Sequence, residues 1–490
     1  MNKNIFFLAG LAIAIAFTGC TKDFEDINTN PNEPAAVSPG FLLTNAQKST
    51  MDIMYNSFWG SRRGMQLAQH WSSNQYSNES RYQFRTEVTN GNWSGLYAGP
   101  LQDLQQIIAL NTDNAEEMAG FGSNGNQIAV AQLTQAWIYQ MMTDAWGPIP
   151  MTQALQGVDN TTPAYDSQEA VYNGILGLID GAMASMDNGP GPQGDQVYGG
   201  DMDMWEKFAN TLKLRVAMRM SDVAPAAAKS AGEAALGGGI IAANEDNAQF
   251  PYIDAAPNNN PVNEDYKTRN DFAASNTMVD WLTAMNDPRL GVYFNPAVAT
   301  GTYVGEVYGL DEANAALTPN DAVSQRGDAV LAGGFPGIFF DAAQTHFLCA
   351  EAAERGWSGT PLDAESHYNA AITLSMQWWG LTDGDAINAY LGQADVAYST
   401  APGDWKQKIG SQKWAALYMQ GHEAWAEVRR LDAPALNACA DGHLGGDGSV
   451  PSRFEYPLDE QTLNASGYAS GVSALGGSDA LETHLWWDVN

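Results

Sequence analysis

Apolar residues in this chain recur at steps of three and four, a spacing that places them on one face of an α-helix. Val130, Leu133, Trp137, Met141 and Ala145 form one such stripe, and Val171, Ile175, Leu178 and Ala182 a second. Trp205, Phe208, Leu212, Val216 and Met220 form a third, and Trp414, Leu417, Gly421, Trp425 and Val428 a fourth. Ser38-Pro39 reads as an N-cap and first helical residue, predicting a helix near 39–59. Strand-like alternation is scarce and short. The pattern predicts a mainly α protein with paired helices joined by short connections, a helix-repeat scaffold whose repeats are degenerate because no clean period is visible.

The first residues set the address. Lys3 precedes an apolar run from Ile5 to Phe17, which suits a secretory signal and is too short to span a bilayer as a helix. The run ends in Phe17-Thr18-Gly19-Cys20, which resembles a bacterial lipobox with Cys20 as the lipidated mature N-terminus. Phe17 stands where that signal usually has Leu. The expected organisation is a signal peptide at 1–19, a lipid-bearing tether at 20–37, and one helical domain at 38–490. Loop insertions are expected near 187–204 and 237–335, where Gly, Asn, Asp and Pro concentrate. Of the remaining cysteines, Cys349 lies in an apolar helical run and reads as a small core residue, and nothing in the sequence pairs it with Cys439.

Composition excludes some functions. The 490 residues include 56 acidic and 23 basic ones, a formal charge of −33, so phosphate backbones are repelled and nucleic-acid binding is not expected. Catalytic signatures are mostly missing. Gly189-Pro190-Gly191-Pro192-Gln193-Gly194 fits a dinucleotide pattern only formally, and His422-Glu423-Ala424-Trp425-Ala426 lacks the second histidine of a zinc protease helix. Acidic, Asn-rich loops could hold calcium, but none has EF-hand spacing, so no cofactor site is assigned. A glycosidase needs two carboxylates across a cleft. Asp144 is the candidate for one, set against a plainer reading as a helix-end carboxylate bonded to nearby backbone.

Aromatic residues in polar surroundings carry the positive functional signal. Trp59, Trp71, Tyr76, Tyr82 and Trp93 follow the first helix, and Tyr252, Tyr266, Tyr303 and Tyr308 lie in the long loop region. Exposed aromatic rings stack on sugar faces while neighbouring amides and guanidinium groups bond hydroxyls. Trp71, Tyr76 and Tyr82 are therefore the expected ligand contacts, with Tyr266, Tyr303 and Tyr308 as contributors. Gln69, His70, Asn74, Gln75 and Arg81 would supply hydrogen bonds.

Several stretches, taken in order, resemble the SusD/RagB-like nutrient-binding outer-membrane lipoproteins, in the branch with a DxNxxPN start and a WWD end. They are Asp26-Ile27-Asn28-Thr29-Asn30-Pro31-Asn32, Trp93-Ser94-Gly95-Leu96-Tyr97, Asp144-Ala145-Trp146-Gly147-Pro148-Ile149-Pro150 and Phe208-Ala209-Asn210-Thr211-Leu212-Lys213-Leu214-Arg215. Asp287-Pro288-Arg289-Leu290, Glu423-Ala424-Trp425 with Arg429-Arg430, Arg453-Phe454-Glu455-Tyr456-Pro457 and Trp486-Trp487-Asp488 continue the series. The resemblance implies a tetratricopeptide-like scaffold of four degenerate helix pairs with long irregular loops and little β structure. It implies a surface lipoprotein without catalytic activity, facing the cell exterior on the outer membrane. Such a protein captures oligo- or polysaccharide, or peptide in some members, and caps a SusC-like TonB-dependent barrel as its lid. The acidic run Thr21-Lys22-Asp23-Phe24-Glu25-Asp26 resembles the family's export tag. Ligand contacts are not carried over by the resemblance, because they sit on the family's variable loops.

Overall fold

The structure, a computed structural model, describes residues 37–442 and 449–489. The signal peptide expected at 1–19, Cys20, and the tether as far as residue 36 lie outside the described residues. The chain from Pro39 onward folds as one unit. It opens with the helix Pro39–Tyr55, which begins at the proline and buries Leu43, Ala46, Met51 and Tyr55 along one face. That helix ends short of the expected residue 59 because the side chain of Asn56 accepts from the backbone N–H groups of Phe58 and Trp59 and starts a new segment.

Four helix pairs follow. Asn124–Trp146 packs on Gln168–Ser185, Met202–Arg219 on Pro225–Gly237, Ala342–Glu354 on Ala364–Trp378, and Trp405–Ala416 on Gly421–Leu431. The expected stripes are their buried faces, with Leu178 only half buried. One stripe differs from expectation. Trp414 to Val428 is two helices, parted at Leu417–Gln420 by a left-handed Met419 (φ 72°). Gly421 shows why the chain turns there: a Cβ on it would lie 2.3 Å from the carbonyl carbon of Gly64, so only glycine lets the second helix start against that backbone.

Part of the acidic surplus goes into ending helices cleanly. Asp201, Asp341, Asp363, Asp383 and Asp404 each accept a backbone N–H at a helix start, where the macrodipole also favours negative charge. A further share is buried as an ionic network that joins the helix pairs. Arg219 reaches Asp144 (3.2 Å) and Glu423 (2.8 Å) and also pairs with Glu427, while Arg430 meets Glu351 (2.5 Å) and Glu427 (2.6 Å). Lys413 adds a third cation to Glu427 at 2.9 Å. Burial opposes these charges, but the surrounding cations win at Glu427 and Glu351, whose carboxyls are held below the usual carboxylate range.

The segments expected as loops are only partly irregular. Residues 187–201 form turns, and the helix from Met202 begins inside the expected 187–204 insertion. The 237–335 region carries short helices such as Pro261–Tyr266 and Asn276–Ala284. It is fixed to the scaffold by short antiparallel pairings: Trp71–Ser73 with Phe272–Ala274, and Ala248–Phe250 with Gly337–Phe340. Among the described residues no helix is long and apolar enough to cross a membrane. Cys349 and Cys439 are both buried and free.

Candidate functional site

The expected aromatic cluster divides in two. Trp71, Tyr82 and Tyr308 are 0%, 3% and 1% exposed, which corrects the reading of them as stacking platforms. Trp71 lies in the ladder with Phe272–Ala274, and its indole N–H donates to the Tyr418 hydroxyl at 2.9 Å. Tyr82 packs on Tyr308, ring centroids 6.3 Å apart. Three of their polar neighbours are buried with them, while Gln75 is exposed and Arg81 half-buried. Gln69 bonds Asn437 and Thr277, His70 bonds the Trp414 carbonyl at 3.0 Å, and Asn74 bonds Asn320. Burial pushes the His70 imidazole down to about 3, so it is a neutral core group.

Tyr76, Tyr266 and Tyr303 are the exposed members, at 54%, 39% and 37%. The first two share one region. The ladder between residues 71–73 and 272–274 places Tyr76 beside the turn that carries Arg269, Asn270 and Asp271. The Arg269 guanidinium lies 4.6 Å from the Tyr76 ring centroid and that of Arg62 5.6 Å away. Asp271 ties the two cations together, accepting from Arg62 at 2.8 Å and from Arg269 at 2.9 Å. Arg62 also donates to the Tyr76 carbonyl at 3.1 Å, which helps hold that residue in a left-handed conformation (φ 54°).

Tyr266 ends the short helix Pro261–Tyr266, with the Arg326 guanidinium 5.1 Å from its ring. Arg326 is buried, lies 5.3 Å from the Trp71 ring, and donates to the Asn270 side chain at 3.0 Å. Two exposed phenol rings are thus held over a layer of guanidinium and amide groups, with Arg269 itself 44% exposed. Rings supported from beneath offer stacking area, and the exposed guanidinium offers donors for hydroxyl or carbonyl oxygens. Tyr303 stands apart: its hydroxyl is near Gly291, and no contact links it to Tyr76 or Tyr266. Sequence reasoning missed Arg62, Arg269, Asp271 and Arg326. The usable signal was Arg269, a basic residue within a polar, Asn-rich loop of a chain with few basic residues.

The remaining candidates are interior. Asp144 is bonded by the Tyr172 hydroxyl and by Arg219, side chains rather than the nearby backbone that the plainer reading expected. It lines a cavity of about 40 Å³ together with Arg215, Glu423 and Arg429. That space suits a few waters and falls far below the roughly 300–1,000 Å³ of ligand sites. Several of the stretches that carry the resemblance meet around it. Arg429 stacks on Trp425 at 3.6 Å and donates to the Asp144 carbonyl at 3.0 Å, Arg453 donates to the Trp146 carbonyl at 3.0 Å, and Trp487 lies 5.3 Å from Arg219. They build the scaffold. Among the described residues, no group of three or more His, Cys, Asp or Glu is placed to hold a metal ion.

Known structures share this architecture over nearly the whole chain. A chitin-binding protein superposes with a TM-score of 0.81 at 26% identity, covering 92% of this chain and 100% of its own. A SusD homologue from Bacteroides uniformis gives 0.79 at 25% identity, covering 93% and 100%. A chitin-binding SusD homologue from Flavobacterium johnsoniae gives 0.75 at 25%, covering 92% and 98%. Among curated protein sequences none matches. The family model described as "Starch-binding associating with outer membrane" matches residues 31–457, and with that span on this helical scaffold the chain belongs to the SusD-like family.

Proposed function

We propose that this protein is a non-catalytic glycan receptor that binds saccharide at the platform of Tyr76, Tyr266 and Arg269. The exposed pair of tyrosines, each backed by a buried arginine, is the observation that carries the reading. Family membership and the chitin-binding neighbours support a saccharide ligand. The protein is anchored through lipid on Cys20, faces outward from the outer membrane, and delivers its ligand to a SusC-like TonB-dependent barrel that it covers as a lid. Asp144, the candidate for a hydrolytic carboxylate, is locked between Arg219 and Tyr172 in the interior, which favours binding over turnover.

Calorimetric titration with a panel of starch- and chitin-derived oligosaccharides tests the binding. Saturable heat without release of reducing ends is expected. Turnover abolished by Asp144→Asn would sink the receptor reading. Cys20→Ala should release the protein from membranes in cells lacking the barrel, and retention there would refute the anchor.

A further inference from the structure

A second concavity lies beside the tyrosine platform. It is an open groove of about 830 Å³ between the exposed side of the helix Pro39–Tyr55 and the segment 256–268. Ser49, Asp52 and Asn56 line one wall, and Pro257, Glu264 and Thr268 the other. Its volume is in the range of ligand sites, and its lining mixes apolar surface with hydroxyl, amide and carboxylate groups.

The groove and the platform share one ridge. Asp265 lines the groove while the next residue, Tyr266, stacks over Arg326; Thr268 lines the groove while the next residue, Arg269, stacks against Tyr76. The backbone of this ridge is fixed, since the N–H groups of Thr268 and Arg269 both donate to the Asp265 carbonyl, at 3.1 and 3.0 Å. A chain held on the platform therefore has a continuous polar path into the groove.

The groove's charge restricts what can follow that path. Asp52, Glu264 and Asp265 face a single lining cation, Lys48, which is spent on Asp52 at 2.5 Å, while Glu264 is paired with Lys267, outside the lining, at 2.7 Å. The Asp265 carboxylate meets no hydrogen-bond donor among the described side chains, so its acceptors are open to hydroxyl or ammonium groups. Acidic sugar units would be repelled.

We infer that the groove is a second subsite of the same receptor, taking further units of an extended, uncharged or amino-bearing saccharide chain whose first units sit on the platform. This inference rests on the glycan-receptor reading. The test compares chitobiose with chitohexaose, and maltose with maltohexaose, by calorimetry on the wild-type protein and on Ser57→Leu and Thr268→Leu, which place aliphatic bulk at two positions that line the groove. At least one hexaose should bind about tenfold or more tighter than its biose, beyond the statistical gain of a repeating ligand. Both variants should bring the hexaose down to biose affinity with biose affinity and melting temperature unchanged. Equal affinity for biose and hexaose, or a length gain that survives both variants, overturns the groove. The parent reading fails differently: Tyr76→Ala would leave biose affinity unchanged, and if no saccharide binds, both proposals fall.

Discussion

At the residue scale, aromatic side chains do opposite work depending on what lies beneath them. Tyr76 and Trp71 are five positions apart, yet one ring faces solvent and the other is sealed under Arg326 and Tyr418. Truncating them should separate the roles. Tyr76→Ala should weaken saccharide binding by about 1–3 kcal/mol, the cost of losing an interface anchor, with the melting temperature unchanged. Trp71→Ala should cost about 3–5 kcal/mol of stability through the cavity it leaves, measured by urea unfolding. Reversed outcomes would exchange the two assignments. The local sequence could not tell them apart. Trp71 sits among Gln69, His70 and Asn74, and such neighbours suggest a wet surface. These residues instead find interior partners far along the chain, including Asn437, Trp414 and Asn320, with His70 Nδ1 and Asn74 Oδ1 left without one.

At the scale of elements, helices were legible and their meeting points were not. Apolar spacing located both helices of the first pair, one of the second and, as a single stripe, the fourth, because each stripe must be buried against a neighbour; the pair Ala342–Glu354 with Ala364–Trp378 showed no such stripe. The spacing gave no sign of the ionic network between them, which gathers Glu423, Glu427 and Arg430 of one helix with Asp144, Arg219, Glu351 and Lys413 of four others. Arg430 neutralises Glu351 and Glu427 inside the network. Arg430→Met should destabilise by about 3–5 kcal/mol in urea unfolding, since it leaves buried carboxylates short of a partner. Adding Glu351→Leu should recover part of that loss, and a double variant no more stable than the single one would refute the pairing. The loop that follows Phe294 carries a different charge problem. Glu306 is buried beside Ser275 with no hydrogen bond to either carboxyl oxygen, and burial pushes its carboxyl up to about 7. The folded protein then holds a proton there that the unfolded chain releases near pH 4.5. The stability contributed by this group is therefore full below that pH and is lost as pH rises toward about 7. Glu306→Gln should raise the melting temperature at pH 8 and leave it nearly unchanged at pH 4. An equal shift at both would show that the carboxyl does not titrate as described.

At the scale of the whole molecule, the sequence order of the SusD-like stretches pointed to the scaffold, and the structure places many of them around one buried cluster. The proposed binding face could not be read the same way. Arg62 and Asp271, which carry Tyr76, are 209 residues apart and meet only because two short strands pair. A face assembled from distant loops on a shared scaffold leaves little local pattern, which is why the aromatic count named three buried residues, Trp71, Tyr82 and Tyr308, beside the exposed Tyr76, Tyr266 and Tyr303. The most direct measurement is calorimetric titration of chitohexaose and maltohexaose into the wild-type protein, Tyr76→Ala and Arg269→Ala, with melting temperatures and reducing ends followed in parallel. Saturable binding of at least one hexaose is expected, weakened about fivefold or more in each variant, with folding intact and no sugar released. Binding equally tight in all three proteins, or hydrolysis of the ligand, would contradict this expectation.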